Sequence, residues 1–336
     1  MDWFERLTGF REAGYDETRS RLAVEGGELH CRVNGCRYGI GVLELASLAD
    51  LRRRCASLPA RGRLTVRLVT GDVRRLHRDP EYAGALFQVA SQFNMLEMVS
   101  PDVTPEHGVT GYQHDRTQGP ACAIAAGAAT IYRNYFVPVE GRPGQTADRQ
   151  LDGLADLGAS LGRWLGLPPD RLWSMRNGYA LCRRDGLAAI TAFLQDASPE
   201  ALDGLRSSLR IGVHRDVEVT DEEIGRRRYV SQAFCSALPV AYSSLPAAEW
   251  QSFAQLVLDA AYEATLCAAA LNAGRGASNI VLLTSLGGGA FGNDGSWIDS
   301  AMRRSLTSMK DQPLDVRIVS YGPPSPAMRA LQRDFA

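Results

Sequence analysis

Three glycines set directly behind a β-branched apolar stretch and directly ahead of a helical pattern constrain this chain more than any other feature. The stretch is NIVLLTSL at 279–286, the turn is LGGGAFGND at 286–294, and helical spacing resumes at 296–308. Such a unit belongs to α/β architectures, in which a buried strand delivers a loop at its C-terminal end. Glycines there allow close backbone approach and positive φ, so that successive N–H groups form an anion-binding nest. Gly288 and Gly289 are the positions expected to reject a β-branched side chain. A diphosphate is the natural guest. The pattern is not GxxxxGK[ST], since no lysine follows, and no GxGxxG opens a first βα turn with an acid downstream.

The rest of the chain extends the α/β reading. VRLVTGDV at 66–73 and FQVASQFN at 87–94 read as buried strands, as do YVSQAFCSALPVAYSS at 229–244 and VRIVSY at 316–321. A helix is expected from about Ala247 to Leu271, where Trp250, Phe253, Val257, Ala261 and Ala264 keep an i, i+3/i+4 rhythm and Gly274 lies beyond as a stop. Residues 101–119 read as a loop, and Pro120 suits the first turn of the helix that follows. Asn34-Gly35 predicts a hairpin within 28–44, followed by a helix at 45–55. Residues 141–225 interrupt the alternation with a helical stretch at 147–164, a hairpin around Asn177-Gly178 and two helices at 186–208.

Composition removes several function classes. A formal net charge of −1 provides no basic excess for a phosphate backbone. Nucleic acid is therefore not expected as a partner, except as a modified substrate. The arginine clusters Arg52 to Arg54 and Arg226 to Arg228 read as solvated faces. No stretch approaches the roughly 18 apolar residues of a membrane span, and the start, Met1 to Arg6, lacks an apolar leader core. The expected compartment is the cytoplasm, with no membrane partner. Cys31, Cys36, Cys55, Cys122, Cys182, Cys235 and Cys267 form an odd, scattered set without CxxC, so neither a disulfide framework nor a structural zinc site is expected. The six-residue gap between His107 and His114 is no zinc pattern either. No metal and no cofactor are expected.

In the glycine turn the sequence resembles the macrodomains, and there looks most like their poly(ADP-ribose) glycohydrolase branch. The resemblance covers roughly 63–136 and 228–322, with its motifs in the family's order. It implies a macrodomain-like three-layer α/β/α sandwich with a mixed central sheet, and four further assignments of the chain. Residues 1–62 would be an N-terminal hairpin-helix extension packed on the core. The core would comprise 63–136 and 228–322, with 137–227 a large α+β insertion and 323–336 a C-terminal tail.

The resemblance also implies a ligand, ADP-ribose, or an ADP-ribosylated substrate. Gly287, Gly288, Gly289, Ala290, Gly292 and Asn293 would wrap the diphosphate, with Phe291 beside the distal ribose. Asp72 would accept from the adenine amino group with the Val73 backbone beside it, Asn94 would bind ribose, and Gln118 and Gly119 would face the distal ribose. The chain departs from the family at the catalytic acid. Many hydrolytic macrodomains have an aspartate just after the first-loop glycines, where this chain has Ala121-Cys122, and the glycohydrolase paired-glutamate motif is absent as such.

Hydrolysis at the anomeric carbon needs a carboxylate to activate water and stabilise an oxocarbenium-like state. Asp115, Glu106 and Glu97 are the candidates in that order, with Asp102 also in the loop. Three readings stand at this stage. The first is an ADP-ribosylhydrolase acting on protein, nucleotide or small-molecule acceptors. The second is a non-catalytic ADP-ribose reader, and the third a scaffold whose insertion binds a protein partner.

Overall fold

The computed structural model describes residues 1–59, 62–221 and 227–336. Arg226, of the second arginine cluster, lies outside them. Seven strands form the central sheet: β1 (Val42–Ser47), β2 (Thr65–Thr70), β3 (Leu86–Ala90), β4 (Arg210–Glu218), β5 (Tyr229–Cys235), β6 (Ile280–Leu283) and β7 (Asp315–Ser320). Their spatial order is β1-β4-β5-β3-β6-β7-β2. The run from β5 through β3, β6 and β7 to β2 is parallel, while β4 is antiparallel to both its neighbours. The sheet is mixed, and its five parallel strands end along one edge.

Helices cover both faces, as expected for a three-layer α/β/α sandwich. Those that position the site are α1 (Leu48–Cys55), α2 (Val73–Arg78), α3 (Gln118–Ala125), α4 (Gly127–Tyr135), α5 (Ala247–Gly274), α6 (Gly295–Ser308) and α7 (Pro326–Asp334). Strand β3 shows why both faces are buried. Leu86 joins the core under α5, and Gln88 donates to Thr265 of α5 at 3.1 Å, while Phe87 and Val89 pack with Cys122 on the α3 face. An ion-pair network ties the α5 face together: Arg52 of α1 binds Asp203 and Glu263, and Arg304 of α6 binds Glu263. Arg52 is therefore a partner in a half-buried network rather than part of a solvated face.

α5 corrects the membrane argument from composition. Its 28 residues include an 18-residue window with mean hydropathy 1.2, long and apolar enough to cross a membrane. In the fold 89% of that window is buried inside the protein. Alanines hid it from a count of large apolar residues.

The expected division of the chain also changes. β1 comes from the assigned extension and β4 from the assigned insertion, yet both belong to the central sheet. The assigned tail contains α7, whose Met328 and Leu331 enter the main core. These segments escaped because VLELAS and RIGVHRDVE carry charges within edge or irregular strands, unlike the continuous apolar runs of β3 and β6. The hairpins around Asn34-Gly35 and Asn177-Gly178 form as expected. Strands read as 87–94 and 229–244 stop at Ala90 and Cys235, and the helix read as 147–164 begins only at Ala155.

Candidate functional site

The site follows from where the chain leaves the sheet. After β3 it crosses to the face of α3, and after β6 it crosses to the opposite face and enters α6, so the two connections diverge. In open α/β sheets such a switch point opens a crevice at the carboxyl ends of the strands. Here β3 and β6 pair only at Leu86–Val281 and Phe87–Leu282, and then separate. The gap is filled by Gln118, whose Nε2 donates to the Gln88 carbonyl at 2.8 Å and whose Oε1 accepts from the Ala90 N–H at 2.8 Å. Gln118 thus lines the cavity with both polar ends of its amide bound to β3, rather than presenting them to a sugar.

The cleft above this gap spans about 690 Å³ of space between atoms, part of it open to solvent. Its walls include Glu97, Asp115, Gln118, Gly119, Gly287, Gly289, Ala290 and Phe291 from the sequence-derived candidates. The glycine loop supplies one side. Ser285, Gly289 and Gly287 accept from the N–H groups of Gly288, Gly292 and Asn293 respectively. Among the described residues, the N–H groups of Gly287, Gly289, Ala290 and Phe291 meet no protein acceptor, and these four residues line the cavity.

Positive φ falls at Gly287 (75°) and Gly292 (69°), not at Gly288 or Gly289 as expected. The tight returns of the loop lie at its two ends, and a Cβ at Gly289 would meet nothing within 4 Å. Gly288 and Gly292 are outside the lining. So is Asn293, which is buried and whose Nδ2 donates to the Leu238 carbonyl at 2.8 Å. It staples the loop instead of touching a guest.

The three carboxylate candidates separate clearly. Glu106 is away from the cavity, where its carboxylate accepts from the Ala147 N–H at 2.9 Å. Asp115 lines the cavity half-buried, accepting from the Thr117 N–H at 2.8 Å. Asp102 pairs with Arg176 outside the lining. Glu97 is 3% exposed, lies against Gly119, and its Oε1 has no protein partner. Burial pushes its carboxyl well above the ordinary value, Arg133 opposes that, and Asp115 adds to it. The last-ranked candidate therefore has the environment of a poised acid.

Asn94 is a further correction. It sits beyond the end of β3, fully buried, with Nδ2 donating to Gln150 at 2.8 Å and Oδ1 accepting from the Leu96 N–H at 3.0 Å. It shapes the turn that leads to Glu97 and does not reach the cavity. Asp72 and Val73 stand at the end of β2 on the same sheet edge, outside the cavity lining. Asp72 caps α2 by accepting from the Arg74 N–H at 2.8 Å, and the Val73 side chain is in the core.

Tyr179 and Tyr242, residues without a sequence signal, complete the walls. Tyr179 of the inserted hairpin, Tyr242 and Phe291 form a triangle of rings with centroids 5.1 to 5.7 Å apart. Tyr179 donates to the Met98 carbonyl at 2.7 Å. The inserted segment thus helps enclose the cavity. Its turn was legible in the sequence, but nothing in the sequence aimed it there.

No protein-family model matches the sequence. No curated protein matches it either. Among solved structures the chain is similar to poly(ADP-ribose) glycohydrolase from Deinococcus radiodurans in complex with ADP-ribose. The two are 12% identical over 87% of this chain and 93% of that one, with a TM-score of 0.46. It is also similar to poly(ADP-ribose) glycohydrolase from Thermomonospora curvata, 14% identical over 92% of this chain and 94% of that one, with a TM-score of 0.46. At that level no residue here takes a role from either protein.

Proposed function

We propose that the cavity binds ADP-ribose and that the chain is an ADP-ribosylhydrolase, cleaving at the anomeric carbon of the distal ribose. The observation that carries this reading is Glu97, a buried carboxyl with an unpartnered oxygen in the wall of a cavity whose facing loop offers four unclaimed N–H groups. The loop suits a diphosphate, which backbone N–H groups bind without cationic side chains. The adenine then lies toward Asp72, three strand spacings from β3, or about 14 Å along the sheet edge at ~4.8 Å per strand. The motif order that resembles the macrodomains agrees with this orientation.

In the proposed reaction Glu97, protonated through burial, gives its proton to the leaving oxygen or nitrogen as the bond to the anomeric carbon breaks. Water adds to the oxocarbenium-like centre, and its released proton returns to Glu97. The products are free ADP-ribose and the unmodified acceptor, with no redox change. Asp115, on the same cavity wall, contributes negative charge that favours the cationic centre. The seven free thiols support the cytoplasm as the compartment.

Calorimetry with ADP-ribose, followed by release assays on O-, N- and ribose-linked substrates, tests the proposal. Glu97→Gln is expected to bind ADP-ribose within a few-fold of wild type while turnover falls by about 10²–10⁴. Absence of ADP-ribose binding would remove the whole reading, whereas tight binding with no cleavage of any linkage would leave a reader. Asp72→Ala is expected to weaken ADP-ribose by about 1.5–3 kcal/mol and ribose 5-phosphate hardly at all. Equal losses for both ligands would take Asp72 out of the adenine end.

A further inference from the structure

Glu97 reaches the cavity from a turn that is itself under constraint. Met95 has φ 64°, a left-handed conformation uncommon for a residue with a long side chain. The turn is closed by the Gln92 N–H donating to Leu96 O and the Met95 N–H donating to Gln92 O, both at 3.0 Å. A non-glycine residue persists there only where its surroundings hold it.

The holding group comes from α4. Arg133 is fully buried, and its Nε donates to the Met95 carbonyl at 3.1 Å. Nη2 donates to Thr130 Oγ1 at 2.9 Å, Nη1 faces His214 Nδ1 at 3.4 Å, and the guanidinium lies 3.9 Å over the Phe234 ring. Among the described residues, no carboxylate lies within ion-pair distance of Arg133. A buried cation without such a partner is costly unless its field is used. The acid whose charge bears most strongly on it is Glu97.

We propose that Arg133 is the positioning residue for Glu97: it clamps the Met95 turn by its carbonyl, two residues before Glu97, and adds a buried positive charge beside that turn. The inference rests on Glu97 being the working acid of the cavity. The other groups bearing on the pair are Asp115 on the loop before α3, Tyr112, whose hydroxyl accepts from the Glu97 N–H, and Cys122 of α3. His214 of β4 is held neutral, since burial first and Arg133 second pull its pKa well below the ordinary value. Arg133 is thus the cation of this cluster, and its removal leaves Glu97 with burial and Asp115 alone.

The test is titration of the Glu97 carboxyl by carbon-13 NMR in the full-length protein with labelled glutamate, the signal assigned by its loss in Glu97→Gln. In Arg133→Met the midpoint is expected to rise by about one pH unit or more, the usual effect of an opposite charge close by. In Arg133→Lys, which keeps the charge, it is expected to stay within about half a unit. Arg133→Gln, which keeps hydrogen-bond donors without charge, replaces the methionine variant if that one does not fold, with the same expected rise. An unchanged midpoint in a folded neutral variant would overturn the proposal. The titration needs no substrate, so it stands apart from the hydrolase reading. If wild type cleaves ADP-ribosyl substrates, the pH–rate limb assigned to Glu97 should move upward in the same variants.

Discussion

Replacing Gly119 with alanine tests how closely the site is assembled. A Cβ on Gly119 would lie 2.8 Å from Glu97 Cδ, and nearer still to Glu97 Oε2 and the Ala90 carbonyl oxygen. Carbon atoms pack at about 3.5–4.0 Å, so Glu97 would have to withdraw by roughly 0.7–1.2 Å. Ala90 ends a central strand and cannot follow. α3 must therefore back away, at an overpacking cost of about 1–3 kcal/mol. The movement also stretches the two Gln118 hydrogen bonds to β3, each worth about 0.5–1.5 kcal/mol. Against this, alanine gains up to about 1 kcal/mol over glycine in a helix. If both bonds are lost and the full helix gain is realised, the net expected loss is about 1–5 kcal/mol, with turnover falling as Glu97 is displaced. Urea denaturation followed by circular dichroism measures the first quantity and ADP-ribose release the second. Gly289→Ala, with nothing within 4 Å of its Cβ, is the control and should change stability by less than about 0.5 kcal/mol. If Gly119→Ala is as stable as wild type, helix propensity outweighs the contact and the close approach argued here is wrong.

Two further outcomes are expected. Gly287→Ala should cost about 1–2 kcal/mol and weaken ADP-ribose, because Gly287 has φ 75° and its Cβ would lie 2.7 Å from Asn293 Nδ2; equal stability and affinity in urea melts and calorimetry would refute this. Glu97 also makes stability depend on pH. Its folded pKa is raised, so below the unfolded value of about 4.3 both states are protonated and no penalty exists. As pH rises past that value the unfolded chain ionises first and wild type loses stability, until folded Glu97 ionises too. Wild type should therefore fall relative to Glu97→Gln as pH rises above the unfolded value of about 4.3, and a flat difference in urea melts as the pH is raised from there would contradict the buried acid.

By itself the sequence determined the α/β class, the strands β3, β6 and β7, and the glycine turn behind β6. Those are local matters: apolar runs of strand length must be buried, and glycines between strand and helix admit backbone conformations other residues resist. It also supplied the carboxylates, but not their order. Asp115 stood first because it is near the Gln118-Gly119 turn in sequence, whereas the structure puts Glu97 deepest, since burial depends on what arrives from elsewhere in the chain. Gly119 and Tyr112 of the loop meet it directly, and Arg133 of α4 binds the Met95 carbonyl of the turn that carries it. Asn94 misled for the same reason: an amide at the end of an apolar run looks ready for a ribose, and only the partners Gln150 and Leu96 reveal it as turn scaffolding. Tertiary structure alone decided that Tyr179 of the inserted hairpin walls the cavity. It likewise brought β1 and β4, both carrying charged residues, into the central sheet. A strand's place in a sheet is set by hydrogen-bonding partners that can lie far along the chain, as Arg210 does from Ser47, and local periodicity carries no record of them.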